Sequence, residues 1–406
     1  RVLLTGATGY VGAFLLFELM KQTHAHVLCL VRAATQADGR QRVLSNLQRY
    51  GLDMPELELP LSVVLGDLTE PMLGLEAEAF RALGRHIDTI MHSAAWVNFV
   101  YPYQHLRATN VDSTETLLRL AIADLPRPIQ FQYISTMGVI MSTGYGREKP
   151  VKESDPLLYS KDLLNGYEQS KYASDKMVWT AFKERGIPGA IYRPGLVSGL
   201  SDGTYHKLDE FLPQCIKGCL QMGSAPTLDT FWEMAPVDFV SKAIVHVARS
   251  PRNLNKAYFV THPDSKPLSQ YVDLLRKSGF PLRSVPWDVW KREFLSQGSD
   301  SIRSSALFPF VDFVRALSEE QVYFPLLDKK QFLDAISDLD FDLAPALTLM
   351  ERYVRYFMEC GFYEGLGKPD SDPVLSLQFS RGPVSGVALL AGQAQQHDTA
   401  RSLQST

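Results

Sequence analysis

An α/β fold built on a doubly wound parallel sheet of about seven strands, with a smaller and mostly helical C-terminal unit, is what three observations in this sequence predict. Strand-sized apolar runs recur at residues 2–4, 26–31, 62–65, 89–92, 130–134, 189–192 and 257–260, with helical stretches between them. Such alternation puts parallel strands in one sheet with helices on both faces. The turn Thr5-Gly6-Ala7-Thr8-Gly9-Tyr10-Val11-Gly12 follows the first run directly. Beyond residue 263 the alternation gives way to a helical reading rich in aromatics, among them Trp287, Trp290, Phe308, Phe310, Phe313 and Tyr353.

The glycine turn makes the sheet Rossmann-type. Gly6 permits the tight turn out of a buried strand, Gly9 lets the backbone approach a pyrophosphate, and Gly12 lets the next helix pack on the sheet. That helix points its N-terminus at the anion. Thr5, Gly6, Thr8, Gly9, Tyr10, Val11 and Gly12 are therefore expected to bind a dinucleotide.

The second strand ends in Arg32, with no acid beside it in sequence to hold the ribose hydroxyls of NAD. A guanidinium there suits a ribose phosphate, with Arg40 or Arg42 adding charge, which favours NADPH. An ordinary solvated arginine is the competing reading. Asp67-Leu68 after the third strand are expected at the adenine. Ser93-Ala94-Ala95 after the fourth are small enough to let the cofactor lie close. His92, at the end of that buried strand, reads as a structural histidine.

The spacing predicts a dinucleotide-binding domain over residues 1–200, completed by 236–262. Residues 201–235 and 263–366 would form the substrate domain, and the Pro-, Ser-, Gly- and Gln-rich 367–406 a disordered tail. A chain of 406 residues has room for both units.

Composition excludes several classes. A net charge of −4 offers no electrostatic footprint for nucleic acid. The four cysteines are too scattered for a disulfide framework, and Cys215 and Cys219, one helical turn apart, suggest a shared buried face rather than a metal site. No apolar run is long enough for a membrane span and no signal peptide precedes the first strand, so a cytoplasmic enzyme is expected. The abrupt start at Arg1 suggests a domain excised from a longer chain, and a monomer as such.

The chemistry gathers on Tyr167-Glu168-Gln169-Ser170-Lys171, where Tyr and Lys stand one helical turn apart. A free tyrosine has a pKa near ~10, so a neighbouring cation would help it exchange protons, and the lysine would also reach the nicotinamide ribose. The preceding strand ends Tyr133-Ile134-Ser135-Thr136. One of its two hydroxyls should look into the site, since adjacent strand residues face opposite ways.

With these residues in hand, the chain resembles an extended short-chain dehydrogenase/reductase. More narrowly it resembles the terminal thioester reductase domains of nonribosomal peptide and polyketide synthetases, to which the domains of aminoadipate and carboxylic acid reductases are similar. The narrower resemblance rests on His92-Ser93-Ala94-Ala95-Trp96-Val97-Asn98-Phe99-Val100-Tyr101-Pro102-Tyr103, Thr109-Asn110-Val111 and Tyr192-Arg193-Pro194-Gly195-Leu196-Val197-Ser198-Gly199, and covers residues 1–365.

The resemblance implies that Thr136, Tyr167 and Lys171 are catalytic, and favours Thr136 over Ser135. It implies that Asn110 supports the lysine network and that Pro194-Gly195 lie against the nicotinamide. A helix cap and a plain turn are the competing readings of those positions. It further implies NADPH-dependent release of an acyl chain from the phosphopantetheine arm of an upstream carrier protein, as an aldehyde or onward to a primary alcohol. Arg276-Lys277 or Lys329-Lys330 would offer a basic docking surface, unless they are merely solvated. An acyl-CoA reductase shares this chemistry. A sugar-nucleotide epimerase or dehydratase shares the fold, but would be expected to hold NAD through an acid. A non-catalytic NADP-sensing scaffold should have lost part of the Thr/Tyr/Lys set.

Overall fold

The computed structural model describes residues 1–366 apart from 53–59, 123–126, 147, 162, 206, 319, 323 and 324. The expectation for 367–406 lies outside the described residues. Seven parallel strands form the central sheet: β1 (Val2–Thr5), β2 (Val27–Val31), β3 (Leu61–Leu65), β4 (Thr89–His92), β5 (Gln130–Ile134), β6 (Gly189–Pro194) and β7 (Lys256–Val260). Each overlaps a run read from the sequence. Their order is β7-β6-β5-β4-β1-β2-β3, so the direction of winding reverses between β1 and β4. Ligands of such sheets bind beyond the carboxyl ends of the strands at that reversal.

Alternation along β1 shows how the layers form. Val2 and Leu4 join one core with Phe14, Leu15 and Leu19 of α1 (Tyr10–Gln22), whereas Leu3 faces the other way. The first core also takes Val43 and Leu47 of α2 (Gln36–Arg49). On the opposite face lie α3 (Ala77–His86), α4 (Ser113–Ile122) and α5 (Gly166–Arg185), which supply Phe80, Leu117 and Phe182. Helix α5 begins at Asn165, whose side chain accepts the Glu168 N–H at 2.8 Å, and ends at Gly186 with φ 66°. Both are standard helix-end solutions for unsatisfied backbone groups.

A separate apolar core draws on α6 (Phe211–Met222), α8 (Leu268–Lys277), α9 (Trp287–Leu295) and α10 (Ala346–Glu359). Between α6 and α8, α7 (Val237–Ala248) returns to the sheet and packs with α1 in the first core. Two short parallel pairings stitch these segments together: Met234–Pro236 on Leu196–Ser198, and Arg283–Pro286 on Ser224–Thr227.

Candidate active site

The glycine turn closes the carboxyl end of β1. Gly6 has φ 81°, a conformation that side chains rarely adopt, and a Cβ there would meet the Ala94 nitrogen at 2.8 Å. A Cβ on Gly12 would sit 1.9 Å from the Gly6 carbonyl oxygen, and one on Gly9 3.3 Å from it. These approaches leave a bare backbone cradle at the N-terminus of α1, which fits a pyrophosphate. The Thr8 and Gly9 tip is exposed, while Val11 is half-buried against the core. Tyr10 turns away from the tip: its hydroxyl donates to the Ser198 carbonyl at 2.9 Å and its ring packs on Phe14 and Tyr50. Asn46 of α2, which the sequence did not single out, donates to the Ala7 and Gly9 carbonyls at 3.1 and 2.9 Å.

Buried Thr5 bonds His92 Nδ1 at 2.8 Å and accepts the Ala94 N–H at 3.1 Å, tying β1 to the Ser93-Ala94-Ala95 segment. His92 Nε2 bonds Thr114 at 3.1 Å. Burial, helped by the nearby Lys171 charge, pushes the imidazole down to about 3, so it is a neutral strut. Asn110 sits in a π-helical turn, Ala108–Asp112. Its amide clamps Trp96 by accepting that N–H at 2.7 Å and donating to that carbonyl at 3.2 Å. It also donates to Ser170 at 2.9 Å, so it reaches α5 one residue short of Lys171.

At the ribose end, Arg32 meets an acid after all, supplied by the neighbouring strand end: its Nη1 stands 3.7 Å from Asp67 Oδ2. Asp67 Oδ1 accepts the Thr69 N–H and hydroxyl at 2.9 and 2.8 Å. That carboxylate shapes its own turn and faces the guanidinium. Leu68 packs half-buried against the core. Arg42 donates to the Arg32 carbonyl and thereby fastens the end of β2. Arg40 donates to the Leu61 carbonyl at 3.3 Å.

Thr136 and Tyr167 come together. Thr136 follows β5, accepts the Gly138 N–H at 3.2 Å, and hydrogen-bonds the Tyr167 phenol. Ser135 points the other way and donates to Asp175 at 2.7 Å. Asp175 also receives Nε and Nη2 of Arg193, both at 2.9 Å, in a buried bidentate pair. Sequence reading passed over this strut, which locks β5, β6 and α5 together beneath the site.

Lys171 is 2% exposed, donates to the Ile134 carbonyl at 2.7 Å, and lies 4.2 Å over the Tyr133 ring. Burial lowers it to about 7 against the opposing pull of Asp175. Burial likewise raises the Tyr167 phenol above its usual range, with the Thr136 hydrogen bond opposing.

From Thr136 and Tyr167 a cavity of about 230 Å³ runs into the second core. Its walls are overwhelmingly apolar and include Phe99, Phe211, Tyr271, Trp287, Trp290 and Met350. The Phe99 and Tyr167 rings lie 5.7 Å apart, edge to face. Cys215 and Cys219 share the lining, which is the common buried face their spacing suggested. Gly195 passes so close to Glu233 that a Cβ would lie 2.0 Å from its carbonyl oxygen, while Pro194 ends β6. Lys329 is half-buried beside the same Glu233 at 3.1 Å and donates to the His262 carbonyl and Ser265, so it is not a free docking cation. Arg276 is held by Asp273 and the Leu282 carbonyl. Among the described residues no helix is long and apolar enough to cross a membrane.

A family profile described as Male sterility protein matches residues 4–244. A linear gramicidin synthase of Brevibacillus parabrevis is 38% identical over 288 residues, covering 71% of this chain and 6% of that protein. L-2-aminoadipate reductase of Saccharomyces cerevisiae is 29% identical over 417 residues, covering 97% of this chain and 30% of that one. The chain thus spans less than a third of either curated relative. The crystal structure of the terminal R domain from the myxalamid PKS-NRPS biosynthetic pathway superposes with a TM-score of 0.81 at 35% identity, over 89% of this chain and 91% of that one.

Proposed function

This chain belongs to the Male sterility protein family and is an NAD(P)-dependent oxidoreductase domain, and from that premise we propose that it reduces an acyl thioester to an aldehyde, and onward to a primary alcohol. The acyl chain is carried on the phosphopantetheine arm of a carrier protein, and the dinucleotide is NADPH. The observation that carries this reading is the placing of the Thr136–Tyr167 pair at one end of the apolar cavity. A carbonyl set there has hydroxyl donors for its oxygen, while its hydrocarbon tail enters the second core. Residues 1–200 with 236–262 then hold the dinucleotide, and 201–235 with 263–366 hold the acyl chain.

The bound dinucleotide supplies a hydride to the carbonyl carbon. Thr136 and Tyr167 donate hydrogen bonds to the oxygen as it gains negative charge. Tyr167, kept protonated by burial, gives its proton to that oxygen. The C–S bond of the resulting hemithioacetal then breaks, its hydroxyl proton passing by way of Tyr167 to the departing sulfur, to release thiol and aldehyde; a second reduced dinucleotide would supply the hydride for the alcohol, with Tyr167, reprotonated from solvent, again giving the proton. Lys171 sits one turn along α5 to hold the nicotinamide ribose, and Asn110 holds the Trp96 backbone and bonds Ser170 beside that lysine.

The test supplies an acyl-pantetheine thioester, and separately its aldehyde, with NADPH or NADH, and identifies the products. Oxidation of NADPH with formation of aldehyde or alcohol is expected. Tyr167→Phe should lower kcat about 10²- to 10⁴-fold, the usual worth of a positioned acid. Turnover of neither substrate by the unaltered protein would sink the reading.

A further inference from the structure

Among the described residues lining the cavity, the formally charged side chains are Glu168 and Glu233. Glu233 is matched by Lys329 at 3.1 Å and accepts the Ser265 hydroxyl at 2.5 Å. Glu168 is 8% exposed. The hydrogen bonds that favour its charged form come from Asn165 and the Leu164 backbone, and burial outweighs them, pushing the carboxyl up to about 7. As the third residue of α5 it closes a capping box with Asn165, which accounts for a Glu or a Gln there. The cap does not require the charge.

The side chain is also placed for chemistry. A Cβ on Gly138 would lie 3.1 Å from Glu168 Cγ, and the Gly138 N–H donates to Thr136. Glu168 therefore packs on the turn that holds Thr136, and its charge is felt by the Tyr167 phenol. Glu168 lines the same cavity as Thr136 and Tyr167, so an acyl chain whose carbonyl is held by that pair lies in the space this acid borders. A desolvated carboxylate is costly by itself and is offset by a cation brought into contact.

We propose that Glu168 is a specificity-determining residue that selects acyl thioesters bearing a protonated amine on the carbon next to the carbonyl. This assignment rests on the thioester-reductase reading. Glu168 confronts the ammonium, while the apolar walls take whatever side chain the same carbon carries. A carboxylate in the amine's place would meet repulsion from Glu168, with no basic residue lining the cavity to relieve it.

The experiment compares kcat/KM for alanyl-pantetheine and propionyl-pantetheine, with NADPH, in the unaltered protein and in Glu168→Gln. Glutamine preserves the capping box and removes only the charge. The ratio of alanyl to propionyl turnover should fall about tenfold or more, as expected for losing a hydrogen bond to a charged group. If both esters are reduced and the ratio moves by less than about twofold, or both fall in equal proportion, the role of Glu168 is overturned and the reductase reading stands. If the unaltered protein reduces neither ester, both fall together.

Discussion

The glycine cradle and the apolar cavity of this domain are built on opposite principles, with Thr136 and Tyr167 lining the cavity. The cradle is made of backbone: Gly6 and Gly12 leave no room for a Cβ and Gly9 leaves little, and Thr5, Asn46 and Asn110 each bind main-chain atoms. The cavity is made of side chains brought from α6, α8, α9 and α10, with Trp287 and Trp290 stacked 5.5 Å apart. Backbone geometry tolerates few residue types and fixes their spacing. Packing tolerates many, which makes the cavity the place where substrate preference can vary while the cradle stays the same.

The largest expected effects test whether the two regions are separable. Trp290 is 2% exposed, stacks on Trp287 and Phe294, and donates to the Ser224 carbonyl at 3.1 Å. Trp290→Ala should cost about 3–5 kcal/mol of unfolding free energy, read by denaturant titration. The folded fraction should bind NADPH within about twofold of normal, because a cavity in one core leaves distant contacts in place. Gly12→Val should do the reverse, abolishing nucleotide binding through the clash with the Gly6 carbonyl. A parallel loss of nucleotide affinity in Trp290→Ala would break the separation.

A smaller effect is expected at Thr136. Thr136→Val removes a donor to the carbonyl oxygen and should lower kcat about 10²-fold. Ser135→Ala, one residue earlier, removes a bond to Asp175 at 2.7 Å. It should cost about 1 kcal/mol of stability and change kcat less than about threefold. Equal losses of kcat would mean that the Ser135–Asp175–Arg193 strut, not the Thr136 hydroxyl, governs turnover.

Much of the cradle was legible in the sequence for this same reason. The glycine spacing gained its meaning from the strand before it and the helix after it, and each of the seven strands overlaps its apolar run because a sheet buried on both faces needs continuous hydrophobicity. The interior of the site was less legible. Lys171 and Tyr167 were found by their spacing, but spacing says nothing of the Ile134 carbonyl that takes the ammonium. Asn46 carries no local signal at all on an amphipathic helix. Glu168 looked like a mere neighbour of Tyr167, and only the assembled cavity, drawn from segments far apart in sequence, shows that it is buried there.

Titration separates the two regions by sign. Lys171, on the cradle side, falls from 10.5 to about 7 on folding. Between those values the unfolded chain holds more protons, so stability rises with pH, by up to about 1.4 kcal/mol per unit. Glu168, on the cavity side, rises from 4.5 to about 7. There the folded chain holds more protons, and stability falls as pH rises through that window. Denaturant titrations from pH 5 to 9 should show the alkaline gain disappear in Lys171→Met and the acid-side fall disappear in Glu168→Gln. A slope on the alkaline side that survives Lys171→Met would assign it to another group.

The smallest expected effect lies at the outer edge of the cradle. Arg32 is mostly exposed and its pairing with Asp67 is loose at 3.7 Å, so the pair adds little to stability. Its consequence is for the cofactor: an acid this near weakens the positive field that a ribose phosphate would meet. Asp67→Asn should therefore tighten NADPH about threefold and leave NADH nearly unchanged, because NADH carries no phosphate there. Arg32→Asp should act in the opposite direction, weakening NADPH about tenfold or more relative to NADH. The two variants keep the Arg42 bond to the Arg32 carbonyl, which is made by backbone and survives either change. Binding constants for both dinucleotides that moved together in each variant would show that this corner shapes the turn without reading the phosphate, and would leave the choice between NADPH and NADH to Arg40 and Arg42.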